Sequence, residues 1–99
     1  MTNHNYIRGF YYIYILTNKH RTTFYIGFTN DLPRRISEHI NTNTKCFTAK
    51  YNVTDLIYYE SFLYVNNAIY REKELKGWRK EKKLALIKSV NPTLTTISL

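Results

Sequence analysis

Glu72 is the most conspicuous chemical feature of the chain, because a helical wheel over residues 65–76 sets it within the apolar face formed by Val65, Ala68, Ile69 and Leu75. A carboxylate rarely occupies such a place without a cation, since burying an unpaired charge is prohibitive. Two partners suit it: a metal ion, or Lys76 one turn later. A second cluster lies upstream, where 100° per residue places Leu32, Ile36 and Ile40 on one stripe with Arg35 and His39 along its edge. Arg34 turns outward. A guanidinium at a core boundary either meets an anion such as a phosphoryl group or lays its stem over the core while its head reaches water.

Phenols complete the set. Strand alternation puts Tyr12 and Tyr14 on one face and Ile13 on the other, and Tyr25 shares a face with Gly27, so Tyr14 and Tyr25 can meet over one side of a hairpin. The bare Gly27 either admits a substrate backbone or relieves the strand end. Most of the ten tyrosines, including Tyr11, Tyr58, Tyr59 and Tyr64, read as packing in β-favouring runs.

The elements that must hold these groups follow from pattern. Phe10–Leu16 and Thr22–Gly27 predict two antiparallel strands joined through polar residues 17–21, and Leu56–Phe62 a third. Asn30 or Asp31 caps a helix with Pro33 in its first turn, running to Ile40. Residues 41–53 read as a loop with a short helix near Phe47–Tyr51. Asn66 or Asn67 opens a second long helix that Gly77 breaks or ends, and a third runs from Trp78 to Val90, before Pro92. The fold class is α/β in the broad sense (α+β), a three-stranded antiparallel sheet flanked by helices in the order β-β-α-β-α-α. Residues 10–92 form the domain, with tails at 1–9 and 93–99 that lack apolar periodicity and fray.

Ninety-nine residues suffice for one core, and a hydrophobic content of 43% argues against disorder. Fifteen Lys and Arg against seven Asp and Glu leave a formal charge of +8, which suits a polyanion such as nucleic acid or serves solubility alone. Cys46 has no partner for an internal disulfide, and His4, His20 and His39 show no paired zinc spacing. No apolar run approaches the ~18 residues of a membrane span, and the polar start lacks a signal peptide's apolar centre. These features fit a soluble cytoplasmic protein, with no membrane partner and as a monomer.

Tyr12-Ile13-Tyr14 and Tyr25-Ile26-Gly27 begin thirteen residues apart, followed by Arg35, His39, Glu72 and then Asn91-Pro92. In that order they resemble the GIY-YIG nuclease superfamily, in its small single-domain bacterial branch, similar to the N-terminal nuclease domain of the DNA-repair excinuclease ABC. The first motif carries Tyr12 where the family name has Gly, and Phe28 stands where the excision-repair branch has Lys. The resemblance implies a phosphodiester hydrolase acting on nucleic acid, DNA ahead of RNA, with one Mg²⁺ or Mn²⁺ ion. It implies Tyr14 and Tyr25 as active-site phenols, Arg35 as phosphate ligand, His39 as candidate base, Glu72 as metal ligand and Asn91 as polar support.

A fixed Arg and a metal would meet the charge that gathers on phosphate in the transition state. The proton acceptor stays shared between Tyr25 and His39: a phenol has a pKa of about 10, an imidazole about 6.5. Arg34, Lys45, Lys50 and Tyr51 are candidate nucleic-acid contacts, the cations for phosphate and the ring for stacking. Two other readings use the same features. One is a nucleic-acid-binding module of this fold with weak or no activity, the other a domain whose basic face meets an acidic protein.

Overall fold

A computed structural model describes residues 10–40 and 51–99. Aromatic and β-branched residues dominate β1 (Tyr11–Thr17), β2 (Phe24–Thr29) and β3 (Asp55–Phe62), side chains that fit a pleated, packed surface. The three pair antiparallel in the order β2-β1-β3, so β1 is central. Its burial shows the consequence: Tyr12 through Thr17 are all inaccessible to solvent.

Both faces of the sheet are covered. Tyr12, Tyr14 and Leu16 pack with Leu32 and Ile36 of α1 (Leu32–Ile40), while Ile13 and Ile15 pack with Ala68 and Leu75 of α2 (Val65–Lys76) and Ile87 of α3 (Lys80–Val90). Alternation along one strand thus distributes Tyr12 and Tyr14 to the α1 side and Ile13 and Ile15 to the α2–α3 side. The order β-β-α-β-α-α is the expected one.

Asp31 is the residue that starts α1: its side chain accepts from the Arg34 amide at 3.2 Å, and its carbonyl accepts from the Arg35 amide at 3.0 Å. At the other end the expected stripe changes by one residue, because His39 is buried and Ile40 is 53% exposed. α2 begins at Val65, before either expected asparagine, and stops at Gly77, whose amide bonds back to Lys73 and Glu74 with φ −81°. That glycine is not used for a left-handed turn. The short helix expected near Phe47–Tyr51 lies, except for Tyr51, outside the described residues.

The segment expected to fray at the C-terminus is instead tied down. Ile97 donates its amide to the Leu56 carbonyl at 2.7 Å, and Arg21 reaches the Leu94 carbonyl at 3.1 Å and Thr96 Oγ1 at 3.0 Å. Arg21 also pairs with Asp55 at 2.5 Å. Leu94 and Ile97 also pack against the core; such tertiary contacts need no apolar periodicity within the segment, which is why the pattern did not reveal them.

Candidate active site

Tyr14 is the hub. It faces Gly27 across the β1–β2 ladder, and a Cβ at position 27 would overlap the Tyr14 phenol. The glycine therefore makes room for a ring of the protein itself, not for a substrate backbone. Laid over the neighbouring strand in this way, the Tyr14 ring comes within 6.4 Å of the Tyr25 ring and 5.6 Å of the His39 imidazole, which itself stands 5.3 Å from Tyr25.

The Tyr14 hydroxyl and His39 Nε2 are 2.8 Å apart, buried, and joined by a hydrogen bond. The Arg35 guanidinium also acts on the Tyr14 oxygen, favouring its ionised form. Either tautomer of His39 satisfies that bond: Nε2 accepts the phenol hydrogen when the ring proton is on Nδ1 and donates to the phenol oxygen when it is on Nε2. Burial, with the Arg35 charge second, holds His39 below the usual histidine value, which favours the neutral imidazole.

Tyr14 is pushed up to about 12, mainly by burial; Tyr25 and Glu72 add to the rise, and Arg35 opposes it. Arg35 and Glu72 thus act on one phenol from α1 and α2 with opposite signs. Arg35 is itself 44% exposed and held by Glu38 at 3.0 Å.

Glu72 sits between Ala68 and Leu75, as the wheel requires, with 18% of its side chain exposed. Its Oε2 lies 2.9 Å from Nζ of Lys76, the ion pair that sequence offered as one alternative. The lysine is 53% exposed, and exposed pairs of this spacing are weak. Among the described residues no three His, Cys, Asp or Glu cluster to cage a metal. A lone, partly buried carboxylate still fits Mg²⁺ or Mn²⁺, hard ions that fill their other positions with water and phosphate oxygens.

A family model described as the GIY-YIG catalytic domain matches residues 10–85. The chain belongs to the GIY-YIG family. Within that nuclease family it groups with the UPF0213 proteins. One from Staphylococcus saprophyticus is 35% identical over 77 residues, covering 78% of this chain and 93% of the relative. Another from Clostridium perfringens is 36% identical over 78 residues, covering 79% and 83%. The solution NMR structure of a UPF0213 protein from Bacillus halodurans superposes with a TM-score of 0.56 at 27% identity, covering 85% of this chain and 88% of the other.

Other candidates of the GIY-YIG reading fall elsewhere. The Asn91 amide donates to the Ile57 and Thr95 carbonyls, both at 2.9 Å, and its oxygen accepts from the Thr95 amide at 3.1 Å. Its support goes to β3 and the C-terminal segment, and these bonds engage both ends of the amide. Arg34 is outward as expected, 64% exposed, with Asp31 and Glu38 at 3.9 and 4.0 Å. Tyr51 is 53% exposed, while Lys45 and Lys50 lie outside the described residues.

Sequence reasoning missed one charged network. Arg71 makes a two-pronged bond to Glu60 of β3 at 2.9 and 3.0 Å and a third bond to Glu74 at 2.9 Å. Tyr58 donates to the same Glu60, and Trp78 lies under the Arg71 guanidinium at 5.3 Å. The Glu60 bond, burial aside, holds Arg71 charged and above its ordinary value. An Arg on a helix three residues before a Glu gave a signal for Glu74 but none for a partner on a distant strand.

Among the described residues no helix is long and apolar enough to cross a membrane.

Proposed function

We propose that this GIY-YIG domain is a divalent-metal-dependent endonuclease that hydrolyses phosphodiester bonds in nucleic acid, DNA ahead of RNA, with little sequence preference. The observation that carries the reading is the meeting of Tyr14, Tyr25, His39 and Arg35 in one hydrogen-bonded and ring-packed cluster under the influence of Glu72. The excess of basic groups, +8 overall, supplies the attraction to phosphate.

In this reading Arg35 exchanges part of its bonding to Glu38 for nonbridging phosphate oxygens, where it neutralises charge developing in the transition state. Water attacks phosphorus, and the bond to the 3′ oxygen breaks. Tyr25, the partly exposed phenol, orients that water. Tyr14 and His39 act as one proton acceptor: the phenol takes the water proton as it passes its own to Nε2. This assignment moves the acceptor from Tyr25 or His39 singly to the Tyr14–His39 pair, because the two enclosed groups share one hydrogen bond at 2.8 Å. Glu72 would hold the Mg²⁺ or Mn²⁺ ion, which when bound supplies positive charge to the phosphate and the departing oxygen.

The Glu72–Lys76 ion pair favours one other reading, a nucleic-acid-binding domain with little or no activity. A cleavage panel separates them. Labelled single strands, duplexes, flaps and RNA are incubated with the protein in Mg²⁺, Mn²⁺ or EDTA. Metal-dependent scission of any substrate supports the nuclease, and salt-sensitive binding without scission supports the module.

A further inference from the structure

Arg35 has a second environment. On its solvent side lies a groove of ≈ 340 Å³, lined by Tyr11 and Phe28 on the sheet, by Asn30 in the turn before α1, and by both Arg34 and Arg35. The Tyr11 and Phe28 rings, from adjacent strands, are parallel to within 6° with centroids 6.2 Å apart, and both are only partly buried. Flat parallel rings in an open groove present a π-surface of the kind on which nucleobases stack. Arg34 adds a guanidinium held only at 3.9–4.0 Å by its acidic neighbours, which leaves donors for phosphate.

We infer that this groove seats one unpaired nucleobase of the strand whose phosphate Arg35 engages, and so gives the domain a preference for single-stranded or unpaired substrate. The inference rests on the nuclease reading for the path of the strand past Arg35. The occupant is set by two features together: the rings fit an aromatic face, and the paired guanidiniums of a strongly basic protein fit the phosphates on either side of it. A matched duplex cannot supply the base without unstacking it, which costs energy that a single strand does not spend. One side chain, Arg35, joins groove and phenol, so base seating would also fix which phosphate lies at Tyr14.

The test changes the ligand before the protein. Fluorescent five-nucleotide DNA strands, intact or with one abasic nucleotide at each position in turn, are titrated with the full chain in EDTA at low salt. One abasic position should weaken binding roughly tenfold and the others far less. In Phe28→Leu, which keeps apolar filling, that sensitivity should fall to roughly twofold or below, and Tyr11→Leu should do the same. Equal affinity for intact and abasic strands, as any polyanion would show, no measurable binding, or unchanged sensitivity in the folded variants would overturn the inference. Cleavage of the same strands in Mg²⁺ is scored separately. Base-sensitive binding without scission counts against the nuclease reading alone, and scission with base-indifferent binding counts against the groove alone.

Discussion

The Tyr14 hydroxyl and His39 Nε2, on residues 25 positions apart in sequence, share a buried 2.8 Å hydrogen bond that couples the central strand to the last turn of α1. Two placements make that bond. Gly27 yields the space for the ring, and Asp31 fixes where α1 begins.

Gly27→Ala therefore acts on Tyr14. The added methyl group must displace the phenol, at a cost of about 1–3 kcal/mol, and in moving the ring it breaks the bond to His39. Thermal unfolding should show the loss of stability. Combining the change with Tyr14→Ala should recover part of the cost that Gly27→Ala adds, whereas equal effects in both backgrounds would place the strain elsewhere.

Acid and base should destabilise the fold through different residues. His39 is held below about 6.5, its unperturbed value, so its contribution is present above that pH and is lost as pH falls toward and through the folded value. Tyr14 runs the other way: with a folded pKa of about 12, its contribution is complete below pH ~10 and is lost as pH rises through the folded value. Melting temperature against pH should thus be flatter on the acid side in His39→Gln and on the alkaline side in Tyr14→Phe. Cleavage should also persist below the ordinary histidine pKa, because the acceptor needs a neutral imidazole.

Much of this architecture is visible in residue order, and the parts that are not share one cause. The hairpin, the third strand and the helix carrying Arg35 and His39 follow from local pattern, and the position of Glu72 among apolar residues follows from the wheel. Partners set by tertiary contact do not. The purpose of Gly27 needs the Tyr14–Gly27 register, the bond between Glu60 and Arg71 needs α2 laid against β3, and the docking of Ile97 needs Leu56 and its core cluster brought beside it. Asn91 was legible as a polar residue of note, yet its amide serves carbonyls that sequence does not place beside it.

The Arg71 network should govern stability and leave chemistry alone. Arg71→Met deprives Glu60 of its paired cation, and with 23% and 20% of the two side chains exposed the cost should be about 2–3 kcal/mol, less than for a fully enclosed pair. Denaturant unfolding measures it. Adding Glu60→Leu should return most of the loss, and any metal-dependent cleavage by folded protein should remain within a few-fold of the parent.

The central claim is most directly tested at Glu72. Glu72→Gln keeps size and polarity, removes the charge that a metal ion needs, and gives up an ion pair worth roughly 0.3–0.5 kcal/mol at this spacing. Easier desolvation of the amide offsets that loss, so the melting temperature without metal should stay within a few degrees of the parent or rise. The measurement is cleavage of a labelled single strand in Mg²⁺ by both proteins, beside their melting curves in EDTA. The account predicts scission by the parent and its collapse in a folded Glu72→Gln; a large fall in stability with undiminished scission, mimicked in stability by Lys76→Met, would contradict it.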